Sequence, residues 1–221
     1  MRNKTYVAVL IACLVATGEA AAQTYCELER IHTRAKGDGV TADFSSVDTS
    51  TCALGIETTV FVDANVSARH VASRCGRGST SSVEITDSVS NEVAVVIGVY
   101  DRCLGMPVLS VTGTGEAEEL HLSPNRKTAS LRATIEGTDE FDQPVSIAID
   151  LVWDGVGHQD RTSNNVTFNH GIFRLVFHSS GTIRDASAAG TVSIDGNDVT
   201  PLPATQSTIE KDAARELRVW R

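Results

Sequence analysis

The sequence predicts an all-β protein, an antiparallel β-sandwich or barrel of about ten strands. Three observations carry this. Val, Ser and Thr together fill roughly three in ten of the 221 positions, and these residue types favour strand faces and turns. Apolar residues recur at every second position in many short segments, which is the period of a half-buried strand. Turn-forming Gly, Asn, Asp and Ser separate those segments at short intervals, with no amphipathic helix of three turns between them.

The chain opens on a different kind of element. Arg2 and Lys4 precede ten apolar residues, 7–16, and Ala20-Ala21-Ala22 places small residues where a signal peptidase needs them. Residues 1–22 therefore read as a secretory signal peptide cut after Ala22. The lipobox-like spelling Leu10-Ile11-Ala12-Cys13 gives the second reading, a lipoprotein anchored at Cys13. Residues 23–36 follow as an N-terminal segment, 37–204 as the β domain and 205–221 as a C-terminal tail. A loose two-part pattern, with an Asp-bearing strand exit at Val62-Asp63 and again at Ile149-Asp150, allows two packed lobes, 37–124 and 125–204.

Within the first half, strands are expected at 40–44, 56–62, 82–85, 92–100 and 108–114. Segment 92–100 is apolar at both phases, with Val93, Val95, Ile97 and Val99 on one side and Ala94, Val96 and Tyr100 on the other, so it reads as a central strand. In the second half, Leu131, Ala133 and Ile135 and then Val145, Ile147, Ile149, Leu151 and Trp153 alternate with mostly polar residues. These two read as a long hairpin with one face on the core. Phe173, Leu175 and Phe177 define the next strand, followed by a turn at Ser179-Ser180-Gly181 and two short strands at 181–186 and 190–195. A short C-terminal helix is expected at 207–217, where Ser207 and Glu210 have capping-box spacing and Ile209, Ala213 and Leu217 share a face. An edge strand over 216–221 is the alternative.

Export would leave four cysteines, Cys26, Cys52, Cys75 and Cys103, with none of the C-x-x-C spacing used by zinc sites. Antiparallel pairing of the strands after Cys52 and before Cys103 brings those two together, which leaves Cys26 with Cys75. The formal charge is −9, and loss of Arg2, Lys4 and Glu19 with the signal makes it one unit more negative. Such a chain is poorly matched to nucleic acid, and no apolar run has the length of a membrane span.

The catalytic motifs most easily read from sequence are missing: there is no G-x-S-x-G, H-E-x-x-H, P-loop, G-x-G-x-x-G or EF-hand pattern. One looser constellation follows the best-patterned strand, Asp154, His158 and Asp160 around Gly155 and Gly157, the residue types of an acid/base or metal site. A polar loop with a Gly-rich turn accounts for the same residues. Asp139, Glu140 and Asp142 in one hairpin loop are candidate Ca²⁺ ligands, and no other cofactor is suggested. Sugar-binding platforms use exposed aromatic faces, of which this chain has few.

The segments Val99-Tyr100-Asp101-Arg102-Cys103-Leu104-Gly105 and Ile149-Asp150-Leu151-Val152-Trp153-Asp154-Gly155-Val156-Gly157 resemble a pattern in uncharacterised secreted bacterial β-proteins, over residues 38–200. The resemblance implies export and a β fold, and it carries no functional residue. Taken together, these readings favour a secreted, disulfide-stabilised binding or structural module for an extracellular or periplasmic ligand over an extracellular hydrolase built on loop carboxylates and a His.

Overall fold

The computed structural model describes residues 28–76, 82–200 and 204–220; the segment 1–22 expected to be a signal peptide, Cys13 and Cys26 lie outside these. The described chain is all-β and antiparallel, eleven strands in one sheet. They are β1 (Glu29–Asp48), β2 (Ile56–Cys75), β3 (Ser82–Asp101), β4 (Met106–Gly115), β5 (Glu119–Leu122), β6 (Thr128–Thr138), β7 (Pro144–Gly155), β8 (Asp160–His170), β9 (Phe173–Ile194), β10 (Asn197–Asp198) and β11 (Ala204–Trp220).

The pairings close into a ring. β1 pairs with β2, β2 with β3, β3 with β4, β4 with β6, β6 with β7, β7 with the second half of β9, β9 with β11, and β11 returns to β1. Of the two architectures expected, the connectivity is that of a barrel. Alternation then decides which residues turn inward: Val40, Ala42 and Phe44 of β1, Val60, Val62 and Ala64 of β2, Val93, Val95 and Ile97 of β3, and Ile147, Ile149, Leu151 and Trp153 of β7. These join Leu131, Ile135, Val192 and Ile209 in one buried cluster drawn from both halves of the chain. Trp153, the largest fully buried side chain, keeps its indole N–H satisfied by donating to the Thr41 carbonyl at 2.8 Å.

The seam between β4 and β6 is short, two residue pairs, Thr112 with Thr138 and Gly113 with Gly137. A side chain at either glycine would run into Ile147, whose Cδ1 lies 2.6 Å from the position of a Cβ on Gly113 and 2.7 Å from one on Gly137. The barrel closes there because two facing residues have no side chain.

The 131–135 and 145–153 hairpin is β6–β7, with Leu131 opposite Leu151 and Ile135 opposite Ile147. Two other expectations are corrected. Segment 207–217 is not a helix but part of β11, which lies between β9 and β1 rather than at an edge. Ile209, Ala213 and Leu217 are four residues apart, and that spacing keeps a common face in a strand as well as in a helix. Ser179-Ser180-Gly181 is not a turn, since β9 runs through it without interruption as a 22-residue strand. Segment 92–100 is central in pairing, between β2 and β4, yet only its inward phase is buried; Val96 and Tyr100 face outward and are exposed.

Beyond the barrel the sheet continues. Residues 29–39 of β1, 66–75 of β2, 82–91 of β3, 173–183 of β9 and 210–220 of β11, with β8 added, form a six-stranded extension in the order β8-β9-β11-β1-β2-β3. The segments before residue 37 and after 204 are thus strands of the same sheet. No helix among the described residues is long and apolar enough to cross a membrane.

Candidate functional site

The expected site residues fall on the barrel rim. Asp154 is the outward neighbour of Trp153 near the end of β7, His158 lies in the loop after it, and Asp160 begins β8. All three are exposed, and no ion pair or hydrogen bond joins them. Asp139, Glu140 and Asp142 shape the β6–β7 loop and its contact with β4. Asp139 Oδ1 accepts from the backbone N–H of Phe141 and of Gln143, both at 2.8 Å. Glu140 Oε2 accepts from Ser110 N–H at 3.1 Å, and Asp142 takes the left-handed conformation that completes the turn.

Cys52 and Cys103 are bonded, with Cα atoms 6.4 Å apart, the pairing expected from the antiparallel approach of β2 and β3. Cys75 is disulfide-bonded as well; its expected partner Cys26 lies outside the described residues. Asp101 sits with the Cys52–Cys103 bridge in a group whose potential ligand atoms lie within 4.8 Å of one another. It is not a metal centre of the thiolate kind, because the two sulfurs are joined. Asp101 Oδ1 instead accepts from the N–H groups of Cys103 and Leu104 at 2.8 and 2.9 Å, so the carboxylate fixes the corner that carries the disulfide.

The six-stranded extension is the feature that the sequence reading missed. Its two faces have opposite charge. The register places residues of equal phase in rows across the strands, and one face continues the inward phase of the barrel. Nearest the tip, Arg174, Val219, Arg30 and Arg74 lie side by side on β9, β11, β1 and β2. Two rows further on come His178, Arg215, Arg34 and His70. Lys36 follows, then Lys211 beside Asp38, with Arg161 on β8. Neighbouring strands are about 4.8 Å apart, and residues two apart along a strand are separated by about 6.7 Å. Along β1 alone, Arg30, His32, Arg34 and Lys36 make a ladder of cations or potential cations at that repeat.

The acids on this face are already used. Asp38 Oδ1 is 3.5 Å from Lys211 Nζ, and Asp87 Oδ1 accepts from His70 Nδ1 at 2.6 Å. Among the described residues Arg30, Arg34, Lys36, Arg174 and Arg215 form no ion pair. Arg215 and Arg34 lie directly opposite one another across the strands, a like-charge pairing that is unfavourable without a counter-charge. The same face offers Ser163, Asn165, Thr167, Ser180 and Thr182 from β8 and β9 and, among the described residues, no Phe, Tyr or Trp.

The opposite face, in phase with the barrel exterior, is acidic near the barrel and apolar near the tip. Asp63, Glu210 and Asp212 lie close to β1, where Gly37 and Gly39 leave the strand bare. Partial burial raises the pKa of all three from its ordinary value, and the charges of Asp212 and Asp63 push Glu210 further in the same direction, against the hydrogen bond it accepts from Thr208. A shallow cleft of about 180 Å³ opens here between Asp63, Asn65, Glu92 and Thr114, below the size of a small-molecule site. At the tip Phe173 packs on Trp220 with ring centroids 5.2 Å apart, and Phe168 lies 6.3 Å from Phe173.

Fold and disulfide together define a disulfide-stabilised β module. Compared with protein-family models, curated proteins and solved structures, the chain matches none.

Proposed function

We propose that this chain is an exported binding module that holds an anionic polysaccharide on the basic face of its extended sheet. The observation that carries the reading is the set Arg30, Arg34, Lys36, Arg174 and Arg215, gathered on one open face of an acidic protein and forming no ion pair among the described residues. The flat, repeated array suits a polymer rather than a small molecule, which needs an enclosing pocket. Carboxylate or sulfate groups would meet the guanidinium groups, and sugar hydroxyls would meet the Ser, Thr and Asn side chains of β8 and β9. Single-stranded nucleic acid is disfavoured because among the described residues that face has no Phe, Tyr or Trp on which bases would stack. The charge of the remaining surface excludes polyanions from elsewhere and orients the approach.

The test is binding of the processed chain to dextran sulfate at low ionic strength, with neutral dextran and single-stranded DNA as comparisons. Salt-sensitive binding to the sulfated polymer is expected, weakened at least about tenfold, or about 1.4 kcal/mol, by Arg34→Glu with Arg215→Glu. Absence of binding, equal binding by that variant with its fold intact, or tighter binding to DNA would each overturn the proposal.

A further inference from the structure

Strand β8 hydrogen-bonds to β9 on one side, and every one of its residues is exposed. Among the described residues no strand lies on its other side, so a row of unpaired backbone N–H and C=O groups eleven residues long faces outward. Such edges are normally guarded by lysine, proline, a bulge or an inward charge. The run Thr162-Ser163-Asn164-Asn165-Val166-Thr167-Phe168-Asn169 has none of these residues, and its register against β9 is unbroken. The opposite edge of the extension, residues 82–91 of β3, differs in carrying Glu84 and Asp87.

We infer that β8 pairs antiparallel with β8 of a second copy, about a two-fold axis through Asn165, to make one twelve-stranded sheet from two six-stranded extensions. A strand is its own antiparallel complement only under a two-fold, which is also the symmetry that closes a dimer. Centring on Asn165 sets Asp160 of each copy against His170 of the other, an acid facing an imidazole at both ends of the ladder. It also sets Asn164 against Val166 and Thr162 against Phe168, so that Val166 and Phe168, 43% and 51% exposed, gain cover beside the Phe173–Trp220 contact. A register slipped by two residues loses both acid–imidazole pairs. The axis is perpendicular to the sheet, so the basic faces of the two copies lie on the same side. The dimer stands on backbone geometry and does not depend on what those faces bind.

The experiment uses the processed chain made in a host that adds no N-glycans, because Asn165-Val166-Thr167 is a sequon. Sedimentation velocity across a concentration series is expected to show a monomer–dimer equilibrium. Asn165→Cys is expected to cross-link the dimer, since Cα atoms facing each other across such a pair are about 4.5–5.5 Å apart, within disulfide reach. Asn164→Lys with Val166→Lys opposes ammonium groups across the axis and should raise the dissociation constant at least about tenfold, whereas Asn164→Asp with Val166→Lys should keep the dimer. A wild-type chain that stays monomeric, a dimer in which Asn165→Cys forms no cross-link, or equal behaviour of the two double variants would overturn the inference.

Discussion

Glu210 illustrates how a single side chain on this sheet is balanced. Half-buried beside Asp63 and Asp212, with Gly39 on the adjacent strand providing no cover, its carboxyl is easier to protonate than usual. A carboxyl whose pKa is higher in the folded state than in the unfolded one favours folding when protonated. That contribution is complete below the unfolded pKa and is lost as pH rises through the folded one. Glu210→Gln keeps the acceptor for Thr208 and removes the charge, so it should stabilise the protein by about 0.5 kcal/mol at neutral pH, a cross-strand-sized effect. The gain should shrink to nothing as the pH approaches 4, as urea titrations at several pH values would show. Gly190 is a second sensitive position. Its φ of +133° and the backbone of Asp150 and Leu151 packed over its α-carbon leave no place for a methyl group, so Gly190→Ala should cost about 1–3 kcal/mol in denaturant unfolding. The inward role of Trp153 was legible from its place at the end of an alternating row. Whether Asp154, His158 and Asp160 converge was not, because alternation says which face a residue takes and nothing about how a loop returns.

At the level of elements, the β6–β7 hairpin could be read from its residues because one face is wholly apolar and the other polar. The long strands could not. In β9 the run Ser179-Ser180-Gly181 has turn composition, yet it is held straight by pairing on both sides, to Asn164, Ser163 and Thr162 of β8 and to Ala214, Ala213 and Asp212 of β11. Local preference is worth tenths of a kcal/mol per residue, and a full ladder on each edge outweighs it. In β11 the four-residue spacing of Ile209, Ala213 and Leu217 fits helix and strand equally, and pairing with two neighbours decided between them. The Cys52–Cys103 bridge ties the β2 and β3 ends of the barrel across 51 residues of sequence. Replacing both cysteines by Ala should lower stability by about 2–4 kcal/mol, measured as a fall in the urea midpoint with little change in slope. The seam between β4 and β6 should be at least as sensitive to bulk. Gly137→Val drives a side chain into Ile147 and should open the barrel edge, seen as loss of amide protection in 112–113 and 137–138.

Across the whole molecule, stability and exposure are unevenly shared. The barrel holds one cluster of fully buried Val, Ile, Leu, Phe and Trp side chains, whereas the extension is half-buried on one face and open on the other. Amides of β1, β2 and β3 within the barrel should therefore exchange only through global unfolding. Those of residues 82–91, an edge of the extension, should exchange faster by local opening, a contrast that hydrogen exchange read by mass spectrometry would reveal; uniform protection along the 20-residue strands would refute it. By itself the sequence determined that the fold is an antiparallel all-β one, which residues of each well-patterned strand face the core, and that Cys52 and Cys103 approach each other. Those follow from a period of two and from antiparallel neighbours, both of which are local. Only the tertiary structure decided how the charge is arranged. The net charge of −9 describes the chain as acidic, but register between strands far apart in sequence sets Arg30, Arg34, Arg174 and Arg215 on one face and Asp63, Glu210 and Asp212 on the other. A sum over residues contains no information about sides, and a sheet has two.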